Sequence, residues 1–226
     1  MTEKLKVLQI IFDGAIQSWE IPALRGAISA KVGEQSVLFH NHKETGYPLI
    51  QYKCIRNRPA LVCIGEGLDE IHHFFSQQDW SVEISGRRLP MKILDISLNG
   101  YVMQVWDRGF EYQIQNWIAL NQEAHRVFMG MKRPSDQIPF LEKKLTGNIL
   151  SMAKGIGWYV DKPIETSITK LSEPFKVRVK GVGVLAFHAR FRTNVFLPNG
   201  IGLGKNVSFG FGTVNELNTQ NKGIVT

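Results

Sequence analysis

A chain of 226 residues, 43% hydrophobic and 21% charged, is long enough to bury a core and suits one large domain or two small ones. No apolar run approaches the ~18 residues of a membrane span, and the first apolar run is broken by Lys6 and followed by Asp13, unlike a secretory signal; a cytoplasmic protein with no membrane partner is expected. The formal net charge is +7, with 8 Lys+Arg against 10 Asp+Glu in residues 1–86 and 19 against 10 in residues 87–226, so a polyanionic partner belongs with the second half.

Residues 5–12 are aliphatic and predict a first strand. Pro22 opens a helix to about Lys31, with Leu24, Ala27 and Ile28 on one face. After a short segment and loop at 36–42, residues 48–56 and 59–64 predict a hairpin turned near Asn57. Leu68, Ile71, His72 and Phe75 recur at helical spacing, which predicts a helix over 67–76 with His72 toward the core. Residues 80–85 then predict a strand. The order β-α-β-β-α-β is that of the ferredoxin-like fold, and Gly86 to Pro90 is the expected boundary.

The second half begins with strands near 91–98, 101–107 and 111–117. Asn121 caps a helix to about Met131. Ser135 or Asp136 opens another to Ala153, with Leu141, Leu145, Ile149 and Met152 on its buried stripe, and Gly155 ends it. From Ile164 onward the pattern is β-rich. The fold class is therefore α+β: two tandem ferredoxin-like domains (βαββαβ, RRM-like) with antiparallel sheets, over residues 1–86 and 87–226.

The β-rich region carries the excess charge. Lys176, Arg178 and Lys180 alternate with Phe175, Val177 and Val179, and His188, Arg190 and Arg192 alternate with Phe187, Ala189 and Phe191. No acidic residue occurs from Pro174 to Asn215, whereas an ordinary solvated sheet face mixes both signs. The run leads into Gly202-Leu203-Gly204, then Lys205-Asn206-Val207-Ser208-Phe209, then Gly210-Phe211-Gly212. Glycines let backbone N–H groups approach an anion closely. Neither nucleotide motif fits, because Val207 stands where a dinucleotide fingerprint needs glycine and Asn199 where a Walker loop does. A nucleic-acid backbone is the better ligand, with Gly202, Gly204, Lys205, Asn206, Ser208, Gly210 and Gly212 beside the five cations.

His40-Asn41-His42 with Tyr47 is the cluster suited to proton transfer, in a polar loop. Cys54 and Cys63 are read as reduced and structural. No spaced Cys/His set indicates zinc, and no cofactor is expected.

The Gly-apolar-Gly, lysine-containing and Gly-aromatic-Gly sequence resembles the signature loop of the RAMP proteins of CRISPR systems. Ile21-Pro22-Ala23-Leu24-Arg25-Gly26, Leu38-Phe39-His40-Asn41-His42 with Tyr47-Pro48-Leu49-Ile50-Gln51-Tyr52-Lys53, Leu120-Asn121-Gln122-Glu123 and Gly147-Asn148-Ile149-Leu150 together resemble the repeat-cleaving endoribonuclease of dual-histidine type that matures CRISPR RNA. The likeness covers nearly the whole chain. It implies His40 and His42 as the cleaving pair, Tyr47 as a supporting tyrosine with Tyr52 as its substitute, and Arg25 among the RNA-binding residues. It also implies metal-independent cleavage to a 2′,3′-cyclic phosphate and a 5′-OH, with Lys53 as the cation that stabilises charge developing on the phosphorane. The partners implied are CRISPR repeat RNA and other CRISPR effector subunits, and both a monomer and a homodimer are compatible with the sequence. A non-catalytic RNA-binding RAMP subunit is the alternative, and histidines that bind a metal a less favoured one.

Overall fold

A computed structural model describes residues 4–33, 37–40 and 46–217, with only the backbone for Val37 and His40. The chain forms two compact units. The first comprises Met1–Val102, Lys154–Trp158 and Val207–Gly210; the second comprises Met103–Ala153, Tyr159–Asn206 and the chain from Phe211.

The first unit is built on strands β1 (Leu5–Asp13), β2 (Ile50–Ile55) and β3 (Arg58–Ile64). Arg56 and Asn57, with φ of 52° and 60°, make the tight β2–β3 turn whose twist suits a hairpin. Helix α1 (Ile21–Val32) starts with Pro22 at its second position, where the missing N–H loses no bond. It buries Ile21, Leu24, Ile28 and Val32 in a core with Ile10, Phe12, Tyr52, Leu61 and Phe74. The short helix α2 (Val37–His40) follows it. Cys54 and Cys63 are free thiols, as the sequence suggests.

Two local expectations change. Residues Gly65–Ile71 form a 3₁₀ helix before α3 (His72–Phe75). Three residues per turn instead of 3.6 shift the buried stripe, so Phe74 enters the core and His72 is exposed, while Leu68, Ile71 and Phe75 pack half-buried against that core. Strand β4 (Val82–Ile84) pairs only with β5 (Arg87–Leu89), across a turn at Ser85 and Gly86 with φ of 50° and 77°. The fourth place in the main sheet goes instead to β6 (Lys92–Tyr101), antiparallel to β1, giving the order β2-β3-β1-β6. That is the ferredoxin-like order. The strand assigned to the second domain thus completes the first, and the first unit runs past Gly86 to Val102.

The β4–β5 hairpin is held by an ion pair that sequence did not signal. Arg87 Nη2 donates to both carboxylate oxygens of Glu20 at 2.8 Å, and the Gln17 amide donates to the same group at 2.8 Å. These bonds hold the Glu20 carboxyl below the usual carboxylate range. A lowered folded-state pKa contributes stability above that range and loses it as pH falls through the lowered value. Glu20→Gln should cost about 1–2 kcal/mol at neutral pH. Its urea midpoint should also decline less on acidification than that of the unsubstituted protein; equal declines would exclude this role.

The second unit repeats the order. Strands β7 (Val105–Trp117), β8 (Thr166–Leu171), β10 (Val182–Val195) and β11 (Thr213–Glu216) lie as β11-β7-β10-β8, and β9 (Phe175–Val179) forms a hairpin with the first half of β10. Between β7 and β8 run α4 (Gln122–Gly130) and α5 (Pro134–Gly155). The Asn121 side chain caps α4 by accepting from the Ala124 amide at 2.7 Å. Leu141, Leu145, Ile149 and Met152 of α5 are buried, as their spacing predicts. The glycine-rich segment stands where a ferredoxin-like fold would place its second crossover helix. No helix among the described residues is long and apolar enough to cross a membrane.

Candidate functional site

The histidine segment is anchored from beneath. Phe39 is buried, and its carbonyl accepts from the Ser29 hydroxyl at 3.0 Å and the Tyr52 hydroxyl at 3.4 Å. Two buried hydroxyls on one carbonyl fix the backbone at the residue preceding His40, since breaking either bond strands a buried polar group. The His40 side chain and all of His42 lie outside the described residues. Tyr52 is committed to the core, and burial raises its phenol well above the ordinary range. Tyr47 is half-buried, bonds the Gln51 side chain, and has its phenol raised by burial. It packs on Gly155, where an added Cβ would lie 2.3 Å from the Tyr47 Cβ.

Lys53 is 2% exposed. It alternates with Tyr52 along β2, so it leaves the opposite face of the strand from the core tyrosine. Burial pushes its ammonium down to about 7, because desolvation disfavours the charged form. Solvent does not reach it in this conformation. Sequence assigned it a charge-stabilising role without indicating burial; the structure makes it an enclosed group.

The glycine-rich segment differs from the expected cradle. The amides of Leu203, Lys205, Gly210 and Gly212 already donate to the carbonyls of Gly212, Ile118, Val207 and Asn116, at 2.8 to 3.1 Å. Gly202 forms a bridge with Thr213. Gly204, Gly210 and Gly212 all have positive φ; Gly204 and Gly212 lie against backbone or ring atoms that leave no room for a Cβ, and Gly210 lies against the Ile21 side chain. In the second unit Gly204 faces Ile118 O and the Trp117 indole, which in turn donates to the Asn148 side chain at 2.9 Å. The glycines thus serve close packing, and the exposed polar group of the segment is the Lys205 side chain, beside half-buried Asn206. Ser208 is buried and accepts from Arg25 Nη1 at 3.3 Å, while the Arg25 guanidinium lies 4.7 Å over the Phe209 ring. Helix α1 and the glycine-rich segment, far apart in sequence, therefore meet in the first unit.

The cations do not form one face. In register, Lys176 pairs with Leu185 and Arg178 with Gly183, whereas Phe175 pairs with Ala186 and stacks on His188 at 4.6 Å. Paired residues share a face, so Lys176 and Arg178 project opposite to His188, Arg190 and Arg192. Lys180 sits in the β9–β10 turn with φ of 48°. Arg192 pairs with Glu111, and its guanidinium covers Gly109; the face read as free of acid gains this carboxylate from β7. Arg190 pairs with Gln113 on one side and Lys170 on the other. Lys170 and the anchoring Ser29 were missed. Ser29, polar beside buried Ile28 on a helix, is the only one with a sequence signal.

Two antiparallel sheets of the same ferredoxin-like order, with a glycine-rich segment before the last strand, define a RAMP-type protein of the Cas6 class. The chain belongs to the Cas6b family: the Cas6b N-terminal domain matches residues 3–101 and the Cas6b C-terminal domain residues 104–217. It is similar to a crystal structure of Cas6b at 26% identity and a TM-score of 0.85, over 95% of this chain and 100% of that one. It also resembles a solved structure of the CRISPR RNA processing endoribonuclease Cas6b, at 24% identity and a TM-score of 0.75 over the same shares. An uncharacterized protein of Methanocaldococcus jannaschii is 36% identical over 101 residues, 45% of this chain and 67% of that protein.

Proposed function

We propose that this protein binds CRISPR repeat RNA and cleaves it to mature guide RNAs. The observation that carries the reading is the match of both Cas6b domains, in order, to nearly the whole chain. The anchored backbone at Phe39 supports it, because proton-transfer groups need a fixed base.

The chemistry needs one proton acceptor and one donor. One histidine takes the proton of the 2′-OH, and that oxygen bonds to the adjacent phosphorus in line with the 5′-oxygen. The P–O5′ bond breaks, the leaving oxygen gains a proton from the second histidine, and the products are a 2′,3′-cyclic phosphate and a 5′-OH. His40 and His42 fill these roles because an imidazole exchanges protons near neutral pH. Tyr47 orients the nucleotide. Lys53 offsets phosphorane charge, and its engagement requires its enclosure to open when RNA binds. Arg25 and Lys205 belong to the RNA-binding set.

Incubation of the protein with repeat RNA in excess EDTA, followed by end-group analysis, tests this mechanism. Full activity and a product that takes a 5′-phosphate from polynucleotide kinase without prior phosphatase treatment are expected. Loss of activity in EDTA, restored by a divalent cation, would overturn metal independence. Tight binding with no cleavage would favour a non-catalytic RAMP subunit.

A further inference from the structure

The exposed face of the second unit's sheet carries a small array that the histidine chemistry does not use. Arg190 on β10 stands directly opposite Lys170 on β8 and Gln113 on β7. One step along, His188 lies beside Ser172, whose hydroxyl accepts from the His188 amide at 2.9 Å. Gln115 borders the same shallow groove. The sheet edge adds Asn215 opposite Gln113 and Thr213 opposite Gln115. None of these residues is acidic.

Two features point to a ligand. Like charges directly opposite on neighbouring strands repel, and among the described residues the side chains of Lys170 and Arg190 form no hydrogen bond or ion pair. The nearby carboxylates are placed elsewhere: Glu111 is in register with Arg192, Glu216 with Tyr112, and Glu173 lies beyond the end of β8. The second feature is His188. Its Nδ1 accepts from the Asn116 amide at 3.2 Å, at a bulge where Asn116 has φ of 50°, and its ring stacks on Phe175. A ring so held carries its proton on Nε2 when neutral, leaving that nitrogen a donor. Two unbalanced cations and a fixed donor beside amide side chains form an anion site with no anion supplied by the protein.

We infer that Lys170, Arg190 and His188 clamp a backbone phosphate of single-stranded RNA on this sheet of the second unit. A phosphodiester fits because the groove is shallow and open, so a chain can run through it, and because the glutamines and the His188–Phe175 stack offer sugar and base contacts without reading sequence. The subsite rests on the reading of the protein as an RNA-binding endoribonuclease and adds to it a second hold on the strand.

The test is binding of a single-stranded repeat RNA, measured by fluorescence anisotropy across a salt series, for the full chain and for Lys170→Gln/Arg190→Gln. The double variant should bind roughly 10-fold or more weakly at low salt, with the log–log salt dependence shallower by about 0.7 to 1, the release expected from one phosphate contact. Its thermal midpoint should equal or exceed that of the unsubstituted protein, because removing the repulsion relieves the fold. Unchanged affinity and slope in a folded double variant would overturn the subsite while leaving the endoribonuclease reading standing. If the unsubstituted protein neither binds nor cuts repeat RNA, that reading fails first. A lower midpoint in the variant would assign the two cations to the fold and equally overturn the inference.

Discussion

Replacing His40 and His42 together with alanine should abolish cleavage of repeat RNA while leaving its binding within about threefold. Each single substitution should slow single-turnover cleavage by ~10²–10⁴, the range for loss of a positioned acid or base. The separation of cutting from binding follows from how the segment is held. The anchor is the carbonyl of Phe39, fixed by the hydroxyls of Ser29 and Tyr52, and none of these groups changes when the imidazoles are removed. Thermal midpoints should therefore stay within a degree or two. Single-turnover rates with product gels, read beside anisotropy binding curves, check both halves. Cleavage that survives in the double variant would remove the histidine pair from the chemistry. Binding that collapses with it would assign the pair to the RNA-holding surface.

The second large effect concerns folding. Gly212→Ala should destabilise the protein by more than ~3 kcal/mol, or prevent folding, before any question of RNA arises. Gly212 has φ of +64°, where an L side chain is strained. A β-carbon there would lie 1.9 Å from Leu203 O and 3.0 Å from the carbonyl carbon behind it. Both atoms are backbone, so no side chain can swing away. Leu203 cannot move, since its own amide donates to Gly212 O at 2.8 Å and the Gly212 amide donates to Asn116 O at 3.1 Å. Gly183→Ala is the matched control, with open space around it and an expected change within ~0.5 kcal/mol. A glycine that merely cradled phosphate would give the opposite pattern: normal stability and weakened RNA binding. Denaturant midpoints of the two variants decide between these outcomes.

Much of the fold was legible because the local signals agreed with the final packing. The Asn121 cap, the stripe of Leu141, Leu145, Ile149 and Met152, and the alternation along 187–192 each gave the right element and the right buried face. The failures share one cause: the deciding contact was non-local. Nothing in residues 80–85 reveals that a turn at Ser85 and Gly86 folds that strand onto its neighbour, freeing the place beside β1 for Lys92–Tyr101. His72 was misplaced because a 3₁₀ turn changes the phase that a helical spacing assumes. The cations were grouped by chain proximity, yet the hairpin register sends Lys176 and Arg178 to one face and Arg190 to the other. Lys170 carried no signal at all; only strand pairing brings it beside Arg190. The candidate histidines, by contrast, were visible as a motif, while the anchoring role of Ser29 and Tyr52 was not, since it depends on where Phe39 comes to rest.

The composition of the first unit constrains how the protein can be made. Its compact body ends in sequence at Val102 but also includes Lys154–Trp158 and Val207–Gly210. On a ribosome, those last residues emerge roughly a hundred residues after Val102, a delay of about 5–20 s at ~5–20 residues per second. For about the first half of that interval Tyr47 lacks Gly155, and throughout it Arg25 lacks Ser208 and Phe209. The N-terminal half therefore waits, incomplete, on the synthesis of the C-terminal half. Completion of the RNA-processing body is thereby timed to nearly full-length chains, and a fragment ending at Val102 would lack the contacts around both Tyr47 and Arg25.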